Sequence, residues 1–213
     1  MTRRDTRELI LATSLTLFNE LGEPNVTTNH IADEADISPG NLYYHFRSKD
    51  DIVLELFKRY LARFLPLIEL PADQSLDAED LWFLLHLTFE LKGEFRFLYR
   101  NLSDLTARIP DLDSAMRGLL LREKSATRNL VEGLETQGSM VITDQERTLL
   151  VDNILLTITY WIPFADIFDH QGLEEGTAAV HSIAQVLQML IPYLGKRERQ
   201  RFSSLVGSYL SGA

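Results

Sequence analysis

From Thr27 to Lys49 the apolar residues Ile31, Ala32, Ala35, Ile37, Leu42 and Phe46 follow a helical period that breaks at Asp36 and resumes in a changed phase. Two short helices meeting at an angle produce such a break. Thr27 or Thr28 is placed to cap the first. Ser38 followed by Pro39 opens the second, a hydroxyl N-cap ahead of a proline at the first helical position. Ser48, Lys49, Asp50 and Asp51 have the spacing of a capping box, with Asp51 where Glu or Gln is usual, so another helix starts at once. The middle helix is therefore only about two turns long. Upstream, Ile10, Ser14, Leu17, Phe18 and Leu21 share one face of an N-terminal helix that Gly22 stops.

Beyond Lys49 the pattern stays helical, punctuated by Gly and Pro rather than by strand alternation. A fourth helix runs from about Asp50 to Leu65 and ends at Pro66, with a linker from Pro71 to Leu76. Asp77 caps a helix ending near Gly93, and one helix from Glu94 stops before Pro110. A long helix spans about Asp113 to Gln137, closed by Gly138. Thr143 to Glu146 form a capping box that opens another long helix, in which Pro163 is a kink or a break. The last two segments cover about 173–194 and 196–209. Leu149 to Phe168 is the longest apolar run, but Asp152, Asn153, Pro163 and Asp166 make it too polar for a membrane span, and a buried, kinked helix is expected. The chain reads as all-α, with a three-helix N-terminal unit over 1–49, a connecting helix at about 50–65 and a larger C-terminal helical domain over 66–213.

On a helical wheel with Leu42 at zero and about 100° per residue, Phe46 falls beside it and anchors the middle helix to a core. Gly40, Asn41 and Tyr44 fall opposite, with Tyr43 and His45 on the flanks. That face offers many hydrogen-bonding groups and little bulk, which suits approach to a phosphate backbone and a groove floor. Gly40 lets the helix N-terminus come close, and its free N–H groups favour an anion. The segment resembles the helix-turn-helix of the tetracycline-repressor (TetR) family. Thr28, Ile31, Ala32, Ala35, Ile37, Ser38, Gly40, Leu42, Tyr43, His45, Phe46, Ser48 and Lys49 stand at matching positions. There are two departures. Asp36 stands where the family commonly has glycine, and Asp tolerates a left-handed turn at some cost in strain. Thr13 and Ser14 stand where two alanines are usual, a change of packing rather than of function.

The resemblance implies a sequence-specific DNA-binding transcriptional regulator, a repressor by the family's usual mode. It would be a homodimer released from a palindromic operator by a small-molecule effector. Thr28, Tyr44, His45 and Lys49 are the expected phosphate contacts, with the capping residues Thr27 and Ser38 at the same edge. Gly40, Asn41 and Tyr43 are the expected base contacts, although Asn41 is as well placed for a local hydrogen bond at the helix start. Dimerisation is expected through helices at about 143–170 and 173–194. There Ala178, Ala179, Ser182 and Ala184 permit close packing beside Val180, Ile183, Val186, Leu187 and Leu190, unless these form intrachain core. The expected effector cavity carries Trp82, Phe83, Phe89, Phe97, Tyr160, Trp161 and Phe164, with His86, Arg100, Asn153 and Thr157 as polar anchors. Such a lining prefers an apolar or aromatic ligand, but aromatics at helical spacing equally serve as core.

Composition tests this reading. The 213 residues are 45% hydrophobic, enough for a real core. With a formal charge of −10 the chain is not basic, the reverse of many nucleic-acid-binding domains. Residues 1–60 hold seven Lys and Arg against ten Asp and Glu, so most of the acidity lies further on. Arg3, Arg4 and Arg7 cluster at the N-terminus, and Arg47 and Lys49 flank the middle helix, so the contact surface is locally positive unless these arginines only solubilise a terminus. Zero cysteines exclude disulfides and thiolate chemistry. The five histidines are too dispersed for a metal site, and no catalytic motif survives placement on helices, so no enzyme, cofactor or metal is expected. The N-terminal segment reads as a helix rather than a signal peptide, and a cytoplasmic protein that does not enter membranes is expected. The competing readings are a regulator controlled by a protein partner and an all-helical small-molecule or lipid carrier, the second of which leaves the Thr27 to Lys49 segment unexplained.

Overall fold

The computed structural model describes residues 3–69, 78–168 and 177–211. Among them the regular elements are eleven α-helices and two 3-10 turns. The helices are α1 (Arg3–Leu21), α2 (Thr28–Glu34), α3 (Pro39–His45), α4 (Lys49–Ile68), α5 (Ala78–Glu94), α6 (Arg96–Arg100), α7 (Leu102–Arg108), α8 (Pro110–Thr136), α9 (Asp144–Phe168), α10 (Thr177–Leu190) and α11 (Lys196–Ser211). The 3-10 turns are Glu23–Asn25 and Ile191–Tyr193.

The helices gather into two compact units. One comprises residues 1–63 with 94–117, and the other comprises 64–93 with 118–213. This grouping differs from cuts at residues 49 and 66 because α6 and α7 pack with the N-terminal helices. Asn19 explains why. Its amide donates to Glu94 O at 2.7 Å and accepts from Phe97 N–H at 3.1 Å, while Arg100 donates to Asn19 O at 2.8 Å. Phe97 packs 5.3 Å from Phe18, and the hydroxyls of Tyr60 and Tyr99 meet at 2.6 Å in the same buried layer.

Within the first unit Ile10, Leu11, Phe18, Ile31, Leu42, Ile52 and Phe57 are buried. Leu21, expected on the same face, is exposed at the end of α1. Ser14, at a position where the family favours alanine, is fully buried, and its hydroxyl donates to Ile10 O at 2.7 Å within its own helix. In the second unit Val131, Val151, Ile183, Leu187 and Leu190 lie at the centre of the core.

Three boundaries moved, each for a local reason. Pro66 lies inside α4, near its end, where it removes one helical hydrogen bond without ending the helix. The stretch from Glu94 to Ile109 is two helices, because Asn101 leaves helical geometry at φ −116° and ψ 23° and its side chain donates to Phe97 O at 3.3 Å. α8 starts at Pro110 itself, using proline at the first helical position. Pro163 lies within a continuous α9. Residues 169–176, which include the expected junction between the last long helices, lie outside the described residues.

Candidate nucleic-acid interface

Two side-chain caps fix the short helices of the first unit. Thr27 Oγ1 accepts from His30 N–H at 3.1 Å, and Ser38 Oγ accepts from Asn41 N–H at 3.2 Å. Between them the chain closes α2 with Ile37 N–H on Ala32 O at 3.0 Å and Asp36 N–H on Asp33 O at 3.1 Å. This paired closure needs a left-handed residue just past the helix, and Asp36 supplies it at φ 49°. The Asp-for-Gly departure therefore keeps the turn at the cost of a residue better suited elsewhere.

α3 is set by Leu42 and Phe46, both buried. Opposite them Gly40, Asn41, Tyr43 and Tyr44 are exposed, and His45 is half-buried. A Cβ built on Gly40 would meet only Ser38 Oγ, at 4.0 Å, so glycine here leaves open space on the outside of the helix. The Tyr43 and Thr28 hydroxyls join at 2.8 Å across the two helices, and Tyr44 packs edge-on to His45. Asn41 makes its local bond through the backbone, and its side chain stands exposed.

Lys49 departs from expectation. Its ammonium donates to Glu23 O at 2.8 Å and Val26 O at 2.9 Å, and pairs with Glu23 Oε1 at 3.0 Å. Three donors serve three internal acceptors, so the geometry turns Lys49 away from a phosphate role. Arg7 is likewise engaged: it forms a two-point pair with Glu55 at 3.0 and 3.2 Å and lies over the Phe46 ring. The hydrogen bond from Arg7 holds the Glu55 carboxyl below its ordinary range, against the opposing effect of burial. Arg47 remains exposed, its backbone N–H on Asp51 Oδ2 at 3.1 Å. The side chains of Arg3 and Arg4 lie outside the described residues.

Glu23 is the residue that sequence reasoning missed. It is fully buried, and its Oε1 also takes Arg108 of α7 at 2.8 Å, while Arg108 reaches Asp50 at 3.0 Å. No local pattern marks it, because its partners are 26 and 85 residues away.

In the second unit a cavity of about 140 Å³ opens among the end of α4, α5, α8, α9 and α10. Leu81, Leu85, Leu130, Leu134, Ile154, Ile158, Val186 and Leu190 form its apolar wall, with Thr88, Glu123, Thr127, Asn129 and Gln137 as polar members. None of the eleven residues expected at an effector site lines it. Phe89 is buried in the core, and Trp82 and Trp161 pack partly buried against that core. His86 stacks on Trp82 at 5.5 Å, Phe83 and Asn153 are exposed, and Thr157 donates to Asn153 O at 2.9 Å. Phe97 and Arg100 belong to the other unit altogether.

Tyr160 and Phe164 fail as cavity residues for a specific reason. They lie on an outward stripe of α9 with Leu149, Leu156 and Ile167, whose exposures run from 47% to 66%. By length and composition alone α9 could cross a membrane over Asp144–Ile167. Its other face carries the core residues Val151, Ile154 and Ile158, and Asp152 pairs with Lys124 at 2.6 Å. On α10, Ser182, Ile183, Ala184, Val186, Leu187 and Leu190 are buried within this chain and so are not free to face a second copy. The side chains of Ala178, Ala179 and Val180 lie outside the described residues.

The profile described as bacterial regulatory proteins, tetR family, matches residues 10–56, and that described as bacterial transcriptional repressor matches residues 59–202. The chain belongs to the TetR family. A TetR-family transcriptional regulator from Marinobacter aquaeolei VT8 has the same fold, with a TM-score of 0.88 and 36% identity, covering 98% of this chain and 99% of that one. Curated relatives include IcaR of Staphylococcus aureus, the HTH-type negative transcriptional regulator of the biofilm operon icaADBC. It is 30% identical over 101 residues, 46% of this chain and 54% of IcaR, so the match spans about half the length of that relative. YttP of Bacillus subtilis, a probable HTH-type transcriptional regulator, is 23% identical over 74% of this chain and 78% of its own length. TetR-family proteins are transcription regulators, not enzymes. The match over residues 10–56 takes in α1, α2, α3 and the start of α4, the helices that build the exposed face of α3.

Proposed function

We propose that this TetR-family chain is a DNA-binding transcriptional repressor that acts as a homodimer on a palindromic operator and is released by a small, mainly apolar molecule. The observation that carries this reading is the outward face of α3, where Gly40, Asn41, Tyr43 and Tyr44 are exposed around a helix pinned by Leu42 and Phe46. Gly40, Asn41 and Tyr43 meet bases. Thr28, Tyr44, His45 and the exposed Arg47 meet phosphates at the rim, with the capping residues Thr27 and Ser38 beside them. A seven-residue helix reads too few bases to specify a site alone. Two copies held roughly 34–36 Å apart read both halves of a palindrome.

The apolar stripe of α9 supports the pairing. Five large apolar side chains on one exposed helical face are a surface that a second copy would cover. Helices α9 and α10 thus remain the interface, with α9 supplying the apolar contact and α10 its exposed Gln185 and Gln188. The cavity of the second unit is the effector site. A molecule bound there favours one arrangement of the paired heads over another, so ligand and DNA weaken each other reciprocally. α4, continuous from Lys49 to Ile68, is the lever. Such a protein acts in the bacterial cytoplasm, where its operator lies. Incubating the purified chain with fragmented genomic DNA and resolving the complexes by gel shift tests the proposal. Salt-sensitive retention of a few palindromic fragments is expected, and no selective retention at low salt would refute it.

A further inference from the structure

Among the described residues lining the cavity, Glu123 is the only charged one. Its side chain is 1% exposed, and its Oε1 lies 2.7 Å from Nζ of Lys92, itself fully buried. Lys92 does not line the cavity, and its Nζ lies 5.2 Å from the centre of the Phe64 ring. The ion pair therefore has a direction, with the cation behind and the carboxylate at the wall. Both carboxylate oxygens of Glu123 are buried without a hydrogen-bond donor among the described residues, and Oε1 has Lys92 Nζ at ion-pair distance. A buried oxygen in that condition is unfavourable until a donor arrives.

We propose that the cavity selects an uncharged, compact, mainly apolar molecule that carries one O–H or N–H and donates it to Glu123. This rests on the cavity being the effector site. An anion such as a carboxylate or phosphate would face the Glu123 carboxylate at low dielectric, with Lys92 behind it and already paired. A cation fares little better, since Lys92 already balances Glu123 and a second positive charge would be buried without compensation. A neutral donor satisfies Oε2 and adds no charge. Leu81, Leu130, Ile154 and Val186 hold the rest of such a molecule by apolar contact.

Four bicyclic probes of similar size separate these cases: 1-naphthol, naphthalene, 1-naphthoate and 1-naphthylmethylammonium. Calorimetric titration of the full chain should show naphthol binding roughly tenfold or more tighter than each of the other three. The paired variant Lys92→Met with Glu123→Leu, which removes both charges together, should bind naphthalene as the wild type does and lose the preference for naphthol. Naphthoate binding as tightly as naphthol, the preference persisting in the paired variant, or no probe binding at all would each overturn the proposal. A separate titration keeps the two readings apart. If naphthol binds with the expected preference while operator affinity stays constant, the donor rule holds and the assignment of this cavity as the effector site fails.

Discussion

Two buried glutamates set the two units of this protein apart. Glu23 in the first unit takes Lys49 and Arg108 on one oxygen, and Lys49 is further held by two backbone carbonyls. Among the described residues, Glu123 in the second unit takes Lys92 alone. Each leaves Oε2 without a donor among the described residues, yet only Glu123 lines a cavity where one could arrive. An unsatisfied buried oxygen is thus no site by itself. In the first unit the cluster ties the Glu23 turn to the start of α4 and the end of α7. In the second it lines a cavity, where the same chemistry would serve the proposed recognition of a donor.

That contrast breaks first at Lys92. Lys92→Met alone leaves a buried carboxylate uncompensated and should cost about 3–5 kcal/mol in urea unfolding, while adding Glu123→Leu should recover most of it. A small loss in the single variant would mean that the pair is solvated rather than buried at the cavity wall. Lys49→Met should cost about 1–3 kcal/mol, because Glu23 keeps Arg108 and its carbonyl keeps the Val26 N–H at 3.2 Å, while Val26 O loses the Lys49 donor. The salt dependence of DNA binding should stay unchanged, whereas a phosphate contact would lower the slope by about one. Next comes the α9 stripe. Leu156→Asp should weaken dimerisation by about 2 kcal/mol, roughly thirtyfold, seen as monomer by sedimentation with unaltered helicity. The smallest effect belongs to Asp36→Gly, which relieves a left-handed non-glycine and should raise stability by up to about 1 kcal/mol without loss of DNA binding.

The same contrast governs what the chain reveals in advance. Around α2 and α3 the deciding interactions are a few residues long: Thr27 with His30, Ser38 with Asn41, Asp33 with Asp36. Caps, turn and buried face were therefore legible from spacing. Lys49 was not, since the carbonyls and carboxylate that hold it are brought close only by the packing of α1, α4 and the Glu23 turn. In α9 the difficulty is different. The helix is apolar on both faces, so periodicity could not choose which one faces inward, and Tyr160 and Phe164 turned outward while Ile154 and Ile158 lined the cavity. Asn19 hides in the same way, because its amide holds α6 from 75 and 78 residues away.

If the outward face of α3 meets DNA, bulk added at Gly40 must weaken binding, and it does so without disturbing the fold. A side chain there would enter open space, its Cβ meeting only Ser38 Oγ at 4.0 Å. The measurement is the affinity of Gly40→Val for a fragment retained by the wild type, taken beside its thermal unfolding. Unfolding should be the same or slightly later, with affinity falling about tenfold or more as the added bulk holds the helix off the groove. Wild-type affinity in a fully folded Gly40→Val protein would contradict the claim that α3 reads DNA through this face.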